Sequence, residues 1–329
     1  MSYVHHEERK MKERNFQMLS VNDISLRVVI EGQGPLAILV HGFPQCWYLW
    51  RHMIDPLVAA GYRVAVPDMR GYGGSDAPPA IGDYAIRNLA ADVAGIATAL
   101  GEEKFIVIGH DWGCLVSWYV ALLYPERCRA VLGLSVPFWR VGPENLNPPG
   151  ADQAFWYMRY FQTPGIAEQE LERDLRSSLK RIYYCLAAPA GRMAFLAQLG
   201  YPRSSKLLDT MPEAGDLSDL MSEEDLDYYV TQYEKSGFRG PINWYRNIPT
   251  VSSSTPELDG KKISQPAAFV AGELDPVLMF DPKWRENFIP CFDDLRMVEL
   301  IENASHWVQI EQPEKTNALV LKFLSGLGD

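Results

Sequence analysis

Gly109-His110-Asp111-Trp112-Gly113 sets an aspartate between two glycines, one two residues before it and one two residues after. The apolar run "FIVI" precedes this pentapeptide, and an apolar stretch with helical texture follows it. A strand, a sharp turn and a helix in that order form a nucleophile elbow: the turn lifts its tip side chain clear of the sheet, and the glycines avoid collisions in the crowded backbone. The N–H of the next residue, Trp112, is then left at a helix N-terminus, free to stabilise an anion. An aspartate can also sit at such a turn merely to cap the helix. A second stretch favours the chemical reading. In "LVHGFPQCW", residues 39–47, an apolar strand runs into His41-Gly42-Phe43-Pro44, and the N–H of Phe43 is placed to meet that of Trp112 as an oxyanion hole.

A base is found by elimination among six histidines. His5 and His6 lie near the N-terminus, His41 and His52 precede the elbow, and His110 neighbours Asp111 with its side chain expected on the opposite side. Chain order in elbow enzymes runs nucleophile, acid, histidine, which leaves His306 in the loop "ENASHWVQIEQP". The orienting acid should leave the end of an adjacent strand. "FVAGELDPV" offers Glu273 and Asp275, and Asp275, past the glycine and before the proline, is the choice. The other place for this acid, after "LSVP", has no carboxylate before Glu144.

A carboxylate nucleophile changes the reaction. A serine must lose its proton as it attacks, whereas Asp111 is already ionised and can attack a saturated carbon directly to form an ester. His306, steered by Asp275, then activates a water against the ester carbonyl, whose oxyanion rests on the Phe43 and Trp112 N–H groups. Haloalkanes and epoxides suit this two-step logic. A halide leaves as a stable anion, but an epoxide oxygen leaves as a strong base and needs a general acid above Asp111.

The elements that must hold these residues follow from hydrophobic periodicity. Strand signals fall at 16–21, 24–30, 36–41 and 62–67, the first two joined at Asn22-Asp23, with an apolar-periodic stretch at 47–60 stopped by Gly61. Helix 84–100, strand 105–110, helix 113–124 and strand 129–136 follow. The short, nearly all-apolar strands suit a parallel sheet covered on both faces. Residues 138–247 carry helical stretches at 168–186, 191–200 and 222–235 and no convincing strand. Strand signals return at 267–273 and 295–301, and a helix near 311–326 closes the chain. The expected organisation is an N-terminal arm over 1–15, an α/β core over 16–137 and 248–329, and a helical cap over 138–247. "GPENLNPPG" and "IPTVSSSTPELDG" mark its two hinges.

Composition narrows the partners. With 329 residues and 47% hydrophobic content the chain can bury a large core, and a net charge of −11 without a Lys/Arg stripe argues against nucleic acid. Five cysteines without CxxC spacing point to free thiols and a cytoplasmic setting. The charged first fifteen residues do not read as a signal peptide, and no apolar run is long enough for a membrane span. No cofactor is called for and no metal site is read. Oligomeric state is left open, a homodimer being the state carried forward.

Taken together, "HGFPQCWYLWRH", "AGYRVAVPDMRGYGGSDAPP", "IGHDWGCLVSWYVALLYPERCRAV", "FQTPGIAE", "FRGPINWYRN" and "ASHWVQIEQP" resemble, in the family's order, the soluble epoxide hydrolases of the α/β-hydrolase fold. The resemblance runs from about Phe16 to the C-terminus. It implies a mostly parallel sheet flanked by helices with an inserted cap, an epoxide substrate, and two cap tyrosines that bind and protonate the epoxide oxygen. The matching positions are Tyr157 in "AFWYMRYFQTPG" and Tyr245 in "INWYRN", with Tyr160 the rival for the first. A phenol suits the task, being protonated at neutral pH yet able to give its proton to an alkoxide. Cys114 stands where many relatives have a second glycine, a departure expected to affect local packing.

Rival activities are separable on residues. Haloalkane dehalogenases are similar at the elbow but usually supply a second halide donor where this chain has Phe43. Fluoroacetate dehalogenases resemble it at HGFP but carry G-H-D-R-G. An ester hydrolase wants serine at 111. A non-catalytic ligand receptor on the same scaffold usually loses a triad member, and all three are present. The substrate expected is a small apolar or aromatic epoxide, with water as the second reactant. Phe138, Trp139, Phe155, Trp156, Phe161 and Trp307 are the candidates for an apolar pocket.

Overall fold

The computed structural model describes residues 14–148, 151–187, 193, 195 and 197–328. Most of the expected arm therefore lies outside the described residues, as does much of the expected helix at 191–200. Eight strands form one sheet: β1 (Phe16–Val21), β2 (Ile24–Glu31), β3 (Leu36–Val40), β4 (Arg63–Pro67), β5 (Phe105–His110), β6 (Cys128–Leu134), β7 (Ala267–Gly272) and β8 (Leu295–Ile301). Their spatial order is β1-β2-β4-β3-β5-β6-β7-β8. β1 and β2 pair antiparallel, β2 joins β4 antiparallel, and every later pairing is parallel. The opening hairpin turns on Asn22 (φ 48°) and Asp23 (φ 63°), two residue types that tolerate the left-handed region a tight hairpin requires.

Burial follows the sequence pattern. β3, β5 and β7, which read as unbroken apolar runs, are buried at every position, while edge strand β1 is exposed along most of its length. Helices α1 (Arg51–Ala59), α2 (Ile86–Ala99), α3 (Trp112–Leu123) and, at the end of the chain, Pro313–Ser325 cross over between strands or cover the sheet. Among its described residues the segment between β6 and β7 is helical, with isolated bridges from Ala154 to Pro202 and from Ile263 to Phe292 and no strand. It includes a single turn at Tyr157–Tyr160, then α4 (Leu175–Leu186), α5 (Glu223–Ser236) and α6 (Arg239–Arg246). Among the described residues no helix is long and apolar enough to cross a membrane.

Element boundaries differ from the periodic reading where a local group intervenes. The stretch 168–186 is not one helix: the chain is helical over Ile166–Leu171, tightens through Glu172–Asp174 and restarts as α4, because the Asp174 carboxylate accepts the Ser177 N–H at 3.0 Å and caps a new helix. β6 stops at Leu134 instead of running to 136, since Ser135 adopts φ 73°. The last helix begins at Pro313, whose missing N–H cannot continue the turn at Val308–Glu311. α6, the helix that carries Tyr245, has no counterpart among the helical stretches read from the sequence.

The parallel strands β3, β5, β6 and β7 end at one edge of the sheet. The residues that follow each end there are His41-Gly42-Phe43, Asp111, Ser135 and the Glu273-to-Asp275 turn. The carboxyl edge is where open α/β sheets present ligands with side chains.

Candidate active site

The elbow is strained and fully built. Asp111 sits at φ 54°, ψ −123°, the first residue before α3. A Cβ on Gly109 would stand 2.1 Å from the Gly113 carbonyl oxygen, and one on Gly113 would stand 2.0 Å from that of Val40, so both flanks of the turn demand glycine. A non-glycine residue in so sparsely populated a conformation costs on the order of 1–3 kcal/mol and persists only where its surroundings enforce it.

Around Asp111 the donors converge. The Phe43 N–H donates to Asp111 Oδ1 at 2.8 Å, and the Trp112 N–H also bonds the carboxylate. A Cβ on Gly42 would fall 2.3 Å from Asp111 Oδ1 and 2.6 Å from the Trp112 nitrogen, so any larger residue would fill the space between the two donors. His41 props this loop from inside the core: its Nε2 accepts the Met69 N–H at 3.0 Å and its Nδ1–H donates to the Gly42 carbonyl at 3.0 Å.

His306 Nδ1–H faces the Asp275 carboxylate at 3.1 and 3.2 Å, and its Nε2 lies 3.5 Å from Asp111 Oδ2. Asp275 is buried and caps its own turn by accepting the Val277 N–H at 2.9 Å. The alternatives are elsewhere, since Glu273 and Glu144 are both exposed. Burial alone would lower the pKa of His306, but the charge of Asp275 and the bonds to both carboxylates overcome it and raise the value to about 10. Burial likewise works against ionised Asp111, yet the hydrogen bond and charge of His306 hold its carboxyl below the usual range. The resting pair is therefore a carboxylate beside an imidazolium.

The two tyrosines matched by resemblance meet above this pair. Tyr245 is buried with its ring centroid 5.4 Å from Phe43, 5.1 Å from Trp112 and 4.9 Å from Phe161. The Tyr157 ring lies 5.8 Å from that of Tyr245. Burial, and then the negative charge of Asp111, push both phenols well above their ordinary pKa, so each holds its proton. The Trp112 side chain offsets part of this rise at Tyr245. Tyr160, the rival for the first position, turns away and donates to Glu170 Oε2 at 2.6 Å.

Residues not singled out from the sequence bring these tyrosines together. Gln162 Nε2 donates both to the Met158 carbonyl at 2.8 Å and to the Tyr245 carbonyl at 2.9 Å, tying the two tyrosine-bearing segments to each other. Buried Arg246 forms paired bonds to Glu168 at 2.6 and 2.9 Å and donates to the Phe161 carbonyl at 2.9 Å. All three clamp residues lie inside the "FQTPGIAE" and "INWYRN" segments, which was the available signal. Their pairing is a fact of tertiary contact.

Of the pocket candidates, Phe161 packs on Phe43 at 5.7 Å, Trp156 on Tyr157 at 5.0 Å and Trp307 on His306 at 4.6 Å. Phe155 packs on Tyr160 and Phe138 on Tyr119. Cys114 is buried, donates to the Val136 carbonyl at 2.8 Å, and has its thiol pKa pushed well above normal by burial, which makes it a packing residue.

Comparison with known proteins shows the fold and the family. The model of the alpha/beta hydrolase fold family matches residues 35–313. Epoxide hydrolase A of Mycobacterium tuberculosis is 40% identical over 94% of this chain and 97% of its own length. Bifunctional epoxide hydrolase 2 of Sus scrofa is also 40% identical, over 92% of this chain, but the chain spans only 53% of that protein's length. Among solved structures, epoxide hydrolase A from Mycobacterium thermoresistibile superposes with a TM-score of 0.87 at 40% identity, covering 95% of this chain and 98% of that one. An epoxide hydrolase from an endophytic Streptomyces gives 0.90 at 35% identity over 96% of both chains. This chain belongs to the epoxide hydrolase family of the α/β-hydrolase fold.

Proposed function

We propose that the protein hydrolyses small apolar or aromatic epoxides to vicinal diols through a covalent ester on Asp111, with residues 138–247 acting as the cap that supplies the acid. The observation that carries this reading is the shared space at Asp111: Oδ1 rests on the Phe43 N–H, Oδ2 points to His306, and two protonated phenols lie above.

In the first step Asp111 Oδ2 attacks an epoxide carbon as the ring C–O bond breaks. The departing oxygen takes a proton from Tyr157 or Tyr245. The negative charge that raised the phenol pKa is consumed as the ester forms, so proton transfer becomes easier as the reaction advances. The same neutralisation removes one of the two carboxylates that held the His306 proton. His306, still steered by Asp275, then loses its proton and accepts one from a water attacking the ester carbonyl. The oxyanion develops at Oδ1, already on the two backbone donors, and its collapse releases the diol and restores the carboxylate. The proton that His306 gave up restores the phenolate to phenol by way of solvent, so the cycle closes with no net proton gained or lost.

Dehalogenation is disfavoured by Phe43, whose side chain offers no donor to share a halide with Trp112. The free thiols favour a reducing, cytoplasmic setting. The reading is tested by a single turnover in ¹⁸O-water with enzyme in excess. Label is expected in the Asp111 carboxylate and absent from the first diol; label in that diol would exclude the ester.

A further inference from the structure

His306 reaches Asp111 from an irregular loop, between the end of β8 at Ile301 and the turn at Val308, with no ladder to hold it. Its polar groups are instead tied individually. The Glu311 carboxylate accepts the Ser305 and Trp307 N–H groups, each at 2.9 Å, on either side of His306, and the His306 N–H donates to the Leu186 carbonyl at 3.2 Å.

The His306 carbonyl has the most distinctive partners. His110 Nε2 lies 2.7 Å from it and Ser135 Oγ donates to it at 2.9 Å. Both donors belong to the sheet edge. His110 is the last residue of β5, immediately before the nucleophile, and Ser135 follows β6 at φ 73°. A carbonyl only accepts, so His110 carries its proton on Nε2. Its ring lies tilted against those of His306 and Trp307, with centroids 4.8 Å and 5.6 Å away. Burial, then the charge on His306, lower its pKa to about 3, so it stays neutral and adds no second positive charge beside the imidazolium. Neither side chain has a part in the two-step scheme.

We propose that His110 and Ser135 are positioning residues for the second half-reaction, clamping the His306 carbonyl so that its imidazole stays in line with the water that attacks the Asp111 ester. The inference rests on the reading of His306 as the base of that step. Ester formation uses the Asp111 carboxylate and the tyrosines, and the Phe43 N–H and Gln162 that hold them make no bond to His110 or Ser135. Hydrolysis needs His306 aimed at one water, and misplacing a reacting group by an ångström can cost about 10²-fold. Placing the clamp on the residue next to Asp111 makes one strand end set both the nucleophile and the height of its base.

The test separates the half-reactions by rapid quench with styrene oxide as probe, following the Asp111 ester by intact mass and the diol by chromatography. His110→Phe keeps the ring and removes the donor, and it should slow ester hydrolysis by roughly tenfold while ester formation stays within about twofold. Ser135→Ala should act in the same direction by about threefold, and His110→Gln, which restores an N–H, should recover most of the rate. Equal slowing of both steps, an unchanged hydrolysis rate, or a His110→Gln variant as slow as His110→Phe would overturn the clamp. Should His110→Phe not fold, an unchanged hydrolysis rate in Ser135→Ala overturns it alone. His306→Gln is the control: if neither it nor the wild type forms an ester, the two-step reading fails and the clamp with it. Ester that forms and hydrolyses at wild-type rates in the clamp variants defeats only the clamp.

Discussion

Asp111 and Asp275 stand just past the ends of strands β5 and β7, with His306 on the loop leaving β8, whereas Tyr157 and Tyr245 are borne by a single helical turn and by α6, far apart in sequence and without a ladder between them. The lower half of the site is fixed by backbone: glycines that admit the elbow, parallel strands in register, and N–H groups that point where a charge must rest. The upper half is fixed by side chains, through Gln162 bridging two carbonyls and Arg246 locked to Glu168. A site built on strand ends leaves a spacing in the sequence. One built on side-chain clamps leaves composition and little else, which is why the tyrosines were matched only by resemblance while the proposed triad followed from spacing and chain order.

The sharpest way to break this contrast is at the base. His306→Gln should leave attack intact and stop ester hydrolysis, lowering turnover by about 10⁴-fold, the upper range for general base catalysis. Intact-mass spectra after exposure to epoxide should show one covalent adduct on Asp111, and unmodified protein would contradict the assigned roles.

The cap should fail in the other half-reaction. Tyr157→Phe combined with Tyr245→Phe should reduce ring opening by about 10³-fold with no adduct accumulating, because the missing proton is needed before the ester exists. Either single variant should lose less. Wild-type turnover in the double variant would place the acid elsewhere.

The pH response sharpens the comparison further. With His306 raised to about 10 in the free protein, ester formation should be flat between about pH 6 and 9, since Asp111 stays ionised and both phenols stay protonated. Ester hydrolysis should rise with pH, then level, once the imidazole has lost the proton that Asp111 no longer helps to hold. Stability follows the raised value. The folded pKa exceeds the ordinary 6.5, so the contribution of the charged His306 is complete below that value and is lost as pH climbs through about 10. Thermal melts of wild type and His306→Gln should therefore converge as pH rises over this window.

The smallest effect belongs to the rival tyrosine. Tyr160→Phe removes a hydroxyl committed to Glu170, and its expected cost is about 1 kcal/mol of stability with turnover changed by less than about twofold. A large loss of ring opening in this variant would exchange the roles of Tyr157 and Tyr160.

Much of the fold was legible because its signals are local. Unbroken apolar runs read as buried parallel strands, and Asn22-Asp23 read as the opening turn. The misreadings were local competitions that periodicity does not register: the Asp174 cap that restarts a helix, the left-handed Ser135 that ends β6, and the proline that delays the last helix. α6 was missed because it is a short helix in which Gly240 and Pro241 obscure the pattern, and it is held by neighbours. Asp275 over Glu273 was readable from its place between glycine and proline, and burial of one with exposure of the other follows that distinction.

By itself the sequence determined the elbow and the chemistry proposed for it. Glycines at 109 and 113 permit one backbone turn, a carboxylate at its tip attacks saturated carbon, and a single histidine lies beyond it. Tertiary structure decided what stands over that carboxylate. Tyr157 and Tyr160 are near neighbours in the chain and chemically identical, and only their packing separates them, the Tyr157 ring lying against Tyr245 and the Tyr160 hydroxyl bonding Glu170. The physical reason is that a turn's conformation is set by its own residues, whereas the direction of a side chain on a short helix is set by what it packs against.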